Sequence, residues 1–121
     1  GAWVLYRAPW YFLFYSGDNC CGPEAHYAVM VARSRAATGP FTRLGRPIVE
    51  ASRRWNAPGH NAIYTDRDGT DWLVYHAIDR RRPHLDDPIA GDRDVRRVLL
   101  MDPIRWRGGW PHAPGAPSSP L

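Results

Sequence analysis

The chain has 121 residues, enough for one domain of ordinary size, and its apolar share of 44% marks it as globular rather than disordered. The formal net charge is +4, with 16 basic residues, all of them Arg, against 12 acidic ones. Arg and Asp interleave, so the charge reads as a mixed solvated surface and not as a nucleic-acid stripe, and no apolar run approaches the ~20 residues needed to span a bilayer.

The expected elements are all strands, separated by turn residues, with no stretch of sustained helical periodicity. The first four fall near Ala2–Tyr6, Tyr11–Ser16, Tyr27–Arg33 and Phe41–Leu44. The next four fall near Ala62–Thr65, Asp71–Ala77, Arg96–Met101 and Ile104–Arg107. Arg7-Ala8-Pro9, Asp66-Arg67-Asp68-Gly69 and Asp102-Pro103 read as short turns, the Gly supplying a positive φ. The connections Gly17–His26, Gly45–His60 and Ile78–Asp94 are long. In an antiparallel sheet they emerge on one face, where binding residues on loops are to be expected. The remainder, 112–121, is rich in Pro, Gly, Ser and Ala and reads as a disordered tail or linker.

Phe12-Leu13-Phe14-Tyr15-Ser16-Gly17 is echoed sixty positions later by Trp72-Leu73-Val74-Tyr75-His76-Ala77, and the neighbouring runs repeat with it. Four short runs per unit are the signature of a β-propeller blade, a four-stranded antiparallel sheet. The reading is therefore all-β, with one blade over about 1–44 and a second over about 61–107. Two blades cannot close a ring, so the remaining blades of a larger protein are the expected partners.

Tyr11 to Gly17, Tyr27 to Ser34 and Thr38-Gly39-Pro40-Phe41 resemble glycoside hydrolase family 43. Ala57-Pro58-Gly59-His60-Asn61-Ala62, Trp72 to Ala77 and Trp106 to Pro111 fit the same family in the same order, so the likeness spans 1–111. It implies the last two blades of a five-bladed propeller enzyme, an inverting arabinanase, arabinofuranosidase or xylosidase. Inversion needs a carboxylic acid at the leaving oxygen and a carboxylate that activates water on the other face of the sugar. The resemblance places two Asp residues in earlier blades and the acid Glu immediately before Gly1, so no catalytic residue is expected within 1–121. A polysaccharide substrate points to a secreted or periplasmic protein, although no signal peptide is visible.

His60 is the sharpest candidate site. The resemblance implies that it lies beneath the active site near a metal ion, calcium being the expected one, with contact through water because calcium prefers oxygen. The bland alternative is a structural His. Asn61, in the same motif, and Trp55, as a sugar-stacking platform, are the candidate substrate-binding residues. Glu24 and Glu50, the two Glu residues present, match no catalytic position and read as solvated surface. Adjacent Cys20 and Cys21 read as reduced thiols, with a strained eight-membered disulfide ring as the alternative. Asp66, Asp68 and Asp71 hint at a calcium loop, but the Gly falls at the wrong position and a hairpin turn is the simpler reading. Arg80-Arg81-Arg82 and Asp86-Asp87 read as solvated charge, and Arg97 lies near a position where the family carries an Arg. A non-catalytic carbohydrate-binding propeller is the alternative function, with an interaction propeller lacking sugar affinity behind it.

Overall fold

Period-two alternation decides which side of each strand is buried, and the two sheets meet along those sides. The computed structural model describes residues 1–22, 24–85 and 95–118. The first sheet runs β1 (Trp3–Arg7), β2 (Trp10–Gly17), β3 (Ala28–Ser34) and β4 (Thr42–Arg43) in chain order, every neighbour antiparallel. The second runs β5 (Trp55–Thr65), β6 (Asp71–Asp79) and β7 (Arg97–Pro103). A hairpin of β8 (Arg105–Arg107) and β9 (Trp110–His112) stands apart from both ladders.

Phe12, Phe14, Val29 and Val31 from the first sheet meet Ile63, Leu73, Tyr75 and Leu100 from the second in one core. Each of these side chains contributes roughly 1.5–3 kcal/mol by leaving water. The opposite faces carry Val4 and Tyr6 on one sheet and Tyr64 and Leu99 on the other, all exposed. Among the described residues no helix is long and apolar enough to cross a membrane.

Three features depart from the sequence-based expectation. The inner strand of the second unit begins at Trp55, not Ala62, and reaches Thr65 through two register shifts, at Asn56/Gly59 and Gly59/Ala62. Ala57-Pro58-Gly59 reads as a turn in isolation, but bulges absorb the Pro and Gly within the strand. Asp102 and Pro103 do not turn the chain; they end β7, and the second sheet has three strands among the described residues rather than four. Arg105–Arg107 pairs with Trp110–His112 instead, across Gly108 and Gly109 at φ 60° and 76°. Positive φ at both central residues is the requirement of a two-residue hairpin turn that matches strand twist.

The tail is the third departure, because 112–118 is docked. Ala113 is buried, and the Ser118 hydroxyl donates to Asp102 Oδ1. Asp102 also accepts the buried Tyr75 hydroxyl at 2.6 Å. Burial, reinforced by Asp102, pushes the Tyr75 phenol far above its ordinary range, so it remains a donor. Residues 119–121 of the expected tail lie outside the described residues.

One carboxylate ties the three pieces together. Asp71 is 2% exposed. It accepts from Arg7 Nε on β1 at 2.6 Å, from Thr65 Oγ1 on β5 at 2.6 Å and from Trp106 Nε1 on β8 at 2.8 Å. Its backbone carbonyl takes Ile104 N at 2.8 Å. Burial alone would raise this carboxyl's pKa, but the hydrogen bonds from Thr65, Arg7 and Trp106 outweigh it and hold it below the usual aspartate value. A depressed folded pKa contributes stability that is complete above the unfolded value near 3.9 and is lost as pH falls through the folded value. Asp71→Asn should therefore cost roughly 2–3 kcal/mol at neutral pH, with the gap to the parent narrowing toward pH 3. Urea unfolding at the two pH values checks this; an equal gap at both would deny Asp71 its charged role.

Candidate functional site

At the end of the sheets opposite Asp71, strand β5 is contorted. Ala57 and His60 both adopt left-handed backbone, at φ 49° and 52°. Such a residue costs of order 1–3 kcal/mol unless its surroundings impose it. Gly59 between them lies so close to Tyr27 that a Cβ would stand 2.1 Å from the ring's Cδ2. No other residue fits without displacing that ring. The His60 amide donates to Ser16 Oγ of β2 at 2.6 Å, fixing the kink to the first sheet.

The kink leaves the His60 side chain exposed within β5, not at its opening. Gly1 abuts it, an ideal Cβ on Gly1 standing 2.7 Å from His60 Cδ2. The His60 and His76 rings lie 5.7 Å apart by centroid. Arg97 completes the cluster. Its Nη1 donates to Ala57 O at 2.9 Å and approaches His76 Nδ1 at 3.1 Å, and its Nη2 donates to the Cys20 carbonyl. A guanidinium has no acceptor, so His76 Nδ1 accepts here and the proton sits on Nε2. Burial, then the Arg97 charge and to a lesser degree His60, hold the His76 pKa below the ordinary histidine value. Arg97 makes no ion pair among the described residues.

Of the residues singled out from sequence, His60 is thus brought together with His76 and Arg97. His76 was not anticipated. Its signal was a single polar residue in the otherwise apolar run Leu73-Val74-Tyr75-His76-Ala77-Ile78. Both substrate-binding candidates are buried in the described structure. Trp55 is 1% exposed, with Arg54 stacked 4.8 Å from its ring, so it offers no free face to a sugar. It opens a long strand rather than sitting in a loop, which is why it is buried. Asn61 is 3% exposed, turned into the interior by the bulge before Ala62, and its amide atoms have no hydrogen-bond partner among the described residues.

The cysteines are joined, Cys20 to Cys21, against the reduced reading. The Glu24 and Glu50 side chains are exposed. Asp66 spends its oxygens on its own hairpin, accepting from Asp68 N, Thr70 N and Trp72 Nε1. Arg80 reaches back to Ser52 O and Asn56 Oδ1, while Asp86 and Asp87 lie outside the described residues.

Calcium takes six to eight oxygens. The cluster offers two imidazoles and a guanidinium, and no group of three His, Cys, Asp or Glu side chains that could hold a metal occurs among the described residues. These residues do not fit a directly bound calcium ion.

The family model for "Glycosyl hydrolases family 43" matches residues 1–111. The extracellular exo-alpha-(1->5)-L-arabinofuranosidase ArbA of Cellvibrio japonicus is 31% identical over 119 residues, covering 89% of this chain and 31% of that protein. Arabinan endo-1,5-alpha-L-arabinosidase A of Aspergillus aculeatus is 29% identical, covering 92% of the chain and 37% of the relative. The chain thus spans about a third of the length of these relatives. Among solved structures, a Cellvibrio cellulosa alpha-L-arabinanase mutant superposes with a TM-score of 0.73 at 31% identity, over 93% of this chain and 35% of that one. A xylan beta-1,4-xylosidase from Bacillus halodurans superposes at 0.72 with 16% identity, over 100% of this chain and 22% of that one, a likeness of fold alone. The two sheets are neighbouring blades of a five-bladed β-propeller, of which the chain holds about a third.

The Arg97–His76 contact sets a measurable quantity. In the parent chain the His76 imidazole should titrate below free histidine, and Arg97→Met should return it upward, because a neighbouring cation disfavours the imidazolium. Nitrogen-detected NMR across pH 4–8 reads both. An unchanged His76 titration in the variant would break the link.

Proposed function

The chain belongs to glycosyl hydrolase family 43, and from that premise we propose that the protein it forms part of is an inverting glycosidase. It would hydrolyse arabinose- or xylose-containing polysaccharides or oligosaccharides. Its relatives, an arabinofuranosidase and an arabinan arabinosidase by name, support the substrate class. The observation that carries the reading is the cluster of His60, His76 and Arg97 against Gly1. The family's acid Glu stands immediately before the strand that opens here at Gly1, so its carboxyl would come to rest beside that cluster.

In this reading the carboxylates come from outside the sequence. Glu24 and Glu50 are exposed, and neither side chain takes part in the cluster. The residues present supply positioning and electrostatics. Arg97 brings an uncompensated positive charge to the place where a carboxylate ionises and a sugar hydroxyl binds. His76, kept neutral by burial and Arg97, offers Nε2–H as a donor and does not compete for the proton that the acid must deliver. His60 faces the same space. Calcium near it would be held through water and by oxygens from beyond these residues, and it would add positive charge beneath the sugar.

Two measurements test the proposal. The purified 121-residue chain should hydrolyse neither aryl arabinosides nor aryl xylosides. Inversion requires two carboxyl groups roughly 6.5–9.5 Å apart, and among the described residues no carboxylate is paired with His60, His76 or Arg97. In the complete protein, Arg97→Met should lower kcat/KM by about 10²-fold, the scale of losing one preorganised electrostatic group. A complete protein that binds arabino-oligosaccharides but cleaves none would instead establish the non-catalytic propeller.

A further inference from the structure

The outer rim between the two blades holds a cleft of about 200 Å³ that the proposed chemistry does not use. Arg105 and Arg107 of β8 and His112 of β9 form one wall, while Arg46, Pro47 and Ile48 from the inter-blade connection form the other. Alternation explains the display. Trp106 turns inward onto Phe12, 4.7 Å between ring centroids, and gives its Nε1–H to Asp71. That anchoring forces Arg105 and Arg107 outward together.

Several guanidiniums elsewhere are engaged, among them Arg7 with Asp71, Arg54 with Asp79, and Arg33 with Gly109 O and the Trp10 and Trp110 rings. What sets the cleft apart is that three guanidiniums gather in it. The guanidiniums of Arg46, Arg105 and Arg107 make no hydrogen bond or ion pair with any described residue, and among the described residues no acid lines the cleft. The residue opposite Arg105 across the hairpin is His112, not a carboxylate. Like charges gathered on one face oppose one another, and nothing here relieves them.

We propose that this cleft binds the uronate carboxylates of an acidic polysaccharide. Planar guanidinium forks match carboxylates in a two-point fashion. The walls between them are Pro and Ile, which suit the C–H face of a sugar ring better than a bare phosphate. The choice of a polysaccharide rests on the glycosidase reading. The cleft would hold an acidic stretch of the polymer while the neutral residues reach the cluster at Arg97, on the propeller's other end.

Trigalacturonate binding to the 121-residue chain, followed by calorimetry or NMR, tests this. Binding should weaken steeply with added salt and by at least about tenfold in Arg105→Gln/Arg107→Gln, the loss of a charge-assisted hydrogen bond or more. Arg105→Lys/Arg107→Lys should retain part of the affinity, and circular dichroism should show all variants folded as the parent. Undiminished binding by the Gln variant overturns the proposal. So does equal displacement by neutral arabinotriose or by inorganic phosphate, and so does the absence of binding. Hydrolysis of neutral aryl arabinosides by the complete protein separates the two readings. If that is absent while trigalacturonate still needs the two Arg residues, the proposed function falls and the cleft stands.

Discussion

The structure depends on the Asp71 carboxylate. A charge taken out of water is tolerated only when its lone pairs are filled, and Asp71 fills them with donors from three separate pieces of the chain. Arg7 brings the end of the first inner strand, Thr65 the end of the second, and Trp106 the hairpin that follows β7. Arg7 in addition lies 5.2 Å over the Trp106 ring, so a single guanidinium serves the carboxylate and the indole. Removing any one donor leaves a buried charge underpaired. The apolar core alone would let two sheets slide, because packing is non-directional; this contact fixes where they stop.

The opposite end is organised by the reverse arrangement, a cation held by neutral acceptors. Arg97 is oriented by the carbonyls of Ala57 and Cys20 and by the His76 ring. The vicinal disulfide loop and the kinked inner strand therefore converge on one side chain. The kink exists because Gly59 must pass against Tyr27, and the left-handed residues on either side follow from that approach. Strain of this kind persists where the surroundings over-determine it, and it concentrates at working sites. Here it sets the direction of His60.

Much of the architecture was legible in the sequence. The apolar runs Phe12–Tyr15 and Trp72–Tyr75 marked the central strands, and Asp66 to Gly69 marked its hairpin turn, with Gly69 at the expected positive φ. What was hidden depended on distant partners. Trp55 to Gly59 carries Pro and Gly, so its strand character exists only because β6 pairs with it and Tyr27 lies beneath. β9 likewise carries Pro111, which a strand accommodates only at an edge such as this hairpin provides. No local rule states whether neighbouring thiols are oxidised, and none brings Arg97 across to His76. The burial of Trp55 was hidden for the same reason: it follows from a strand whose existence its neighbours disguise.

The manner in which Arg97 is held bears on what the site can do. A guanidinium fixed by a carboxylate is well oriented, but its field is spent on that partner. One fixed by carbonyl dipoles is equally well oriented and keeps its full charge for whatever approaches. The half-buried setting of Arg97 strengthens that field relative to water. The blade pair thus holds positive charge rigidly at one end, through acceptors that do not cancel it. At the other end it neutralises positive charge against Asp71 to secure the fold. The same residue type secures the fold where it is paired and, in the proposed function, serves recognition where it is not. In a chain whose every basic residue is Arg, partner choice alone separates the two roles.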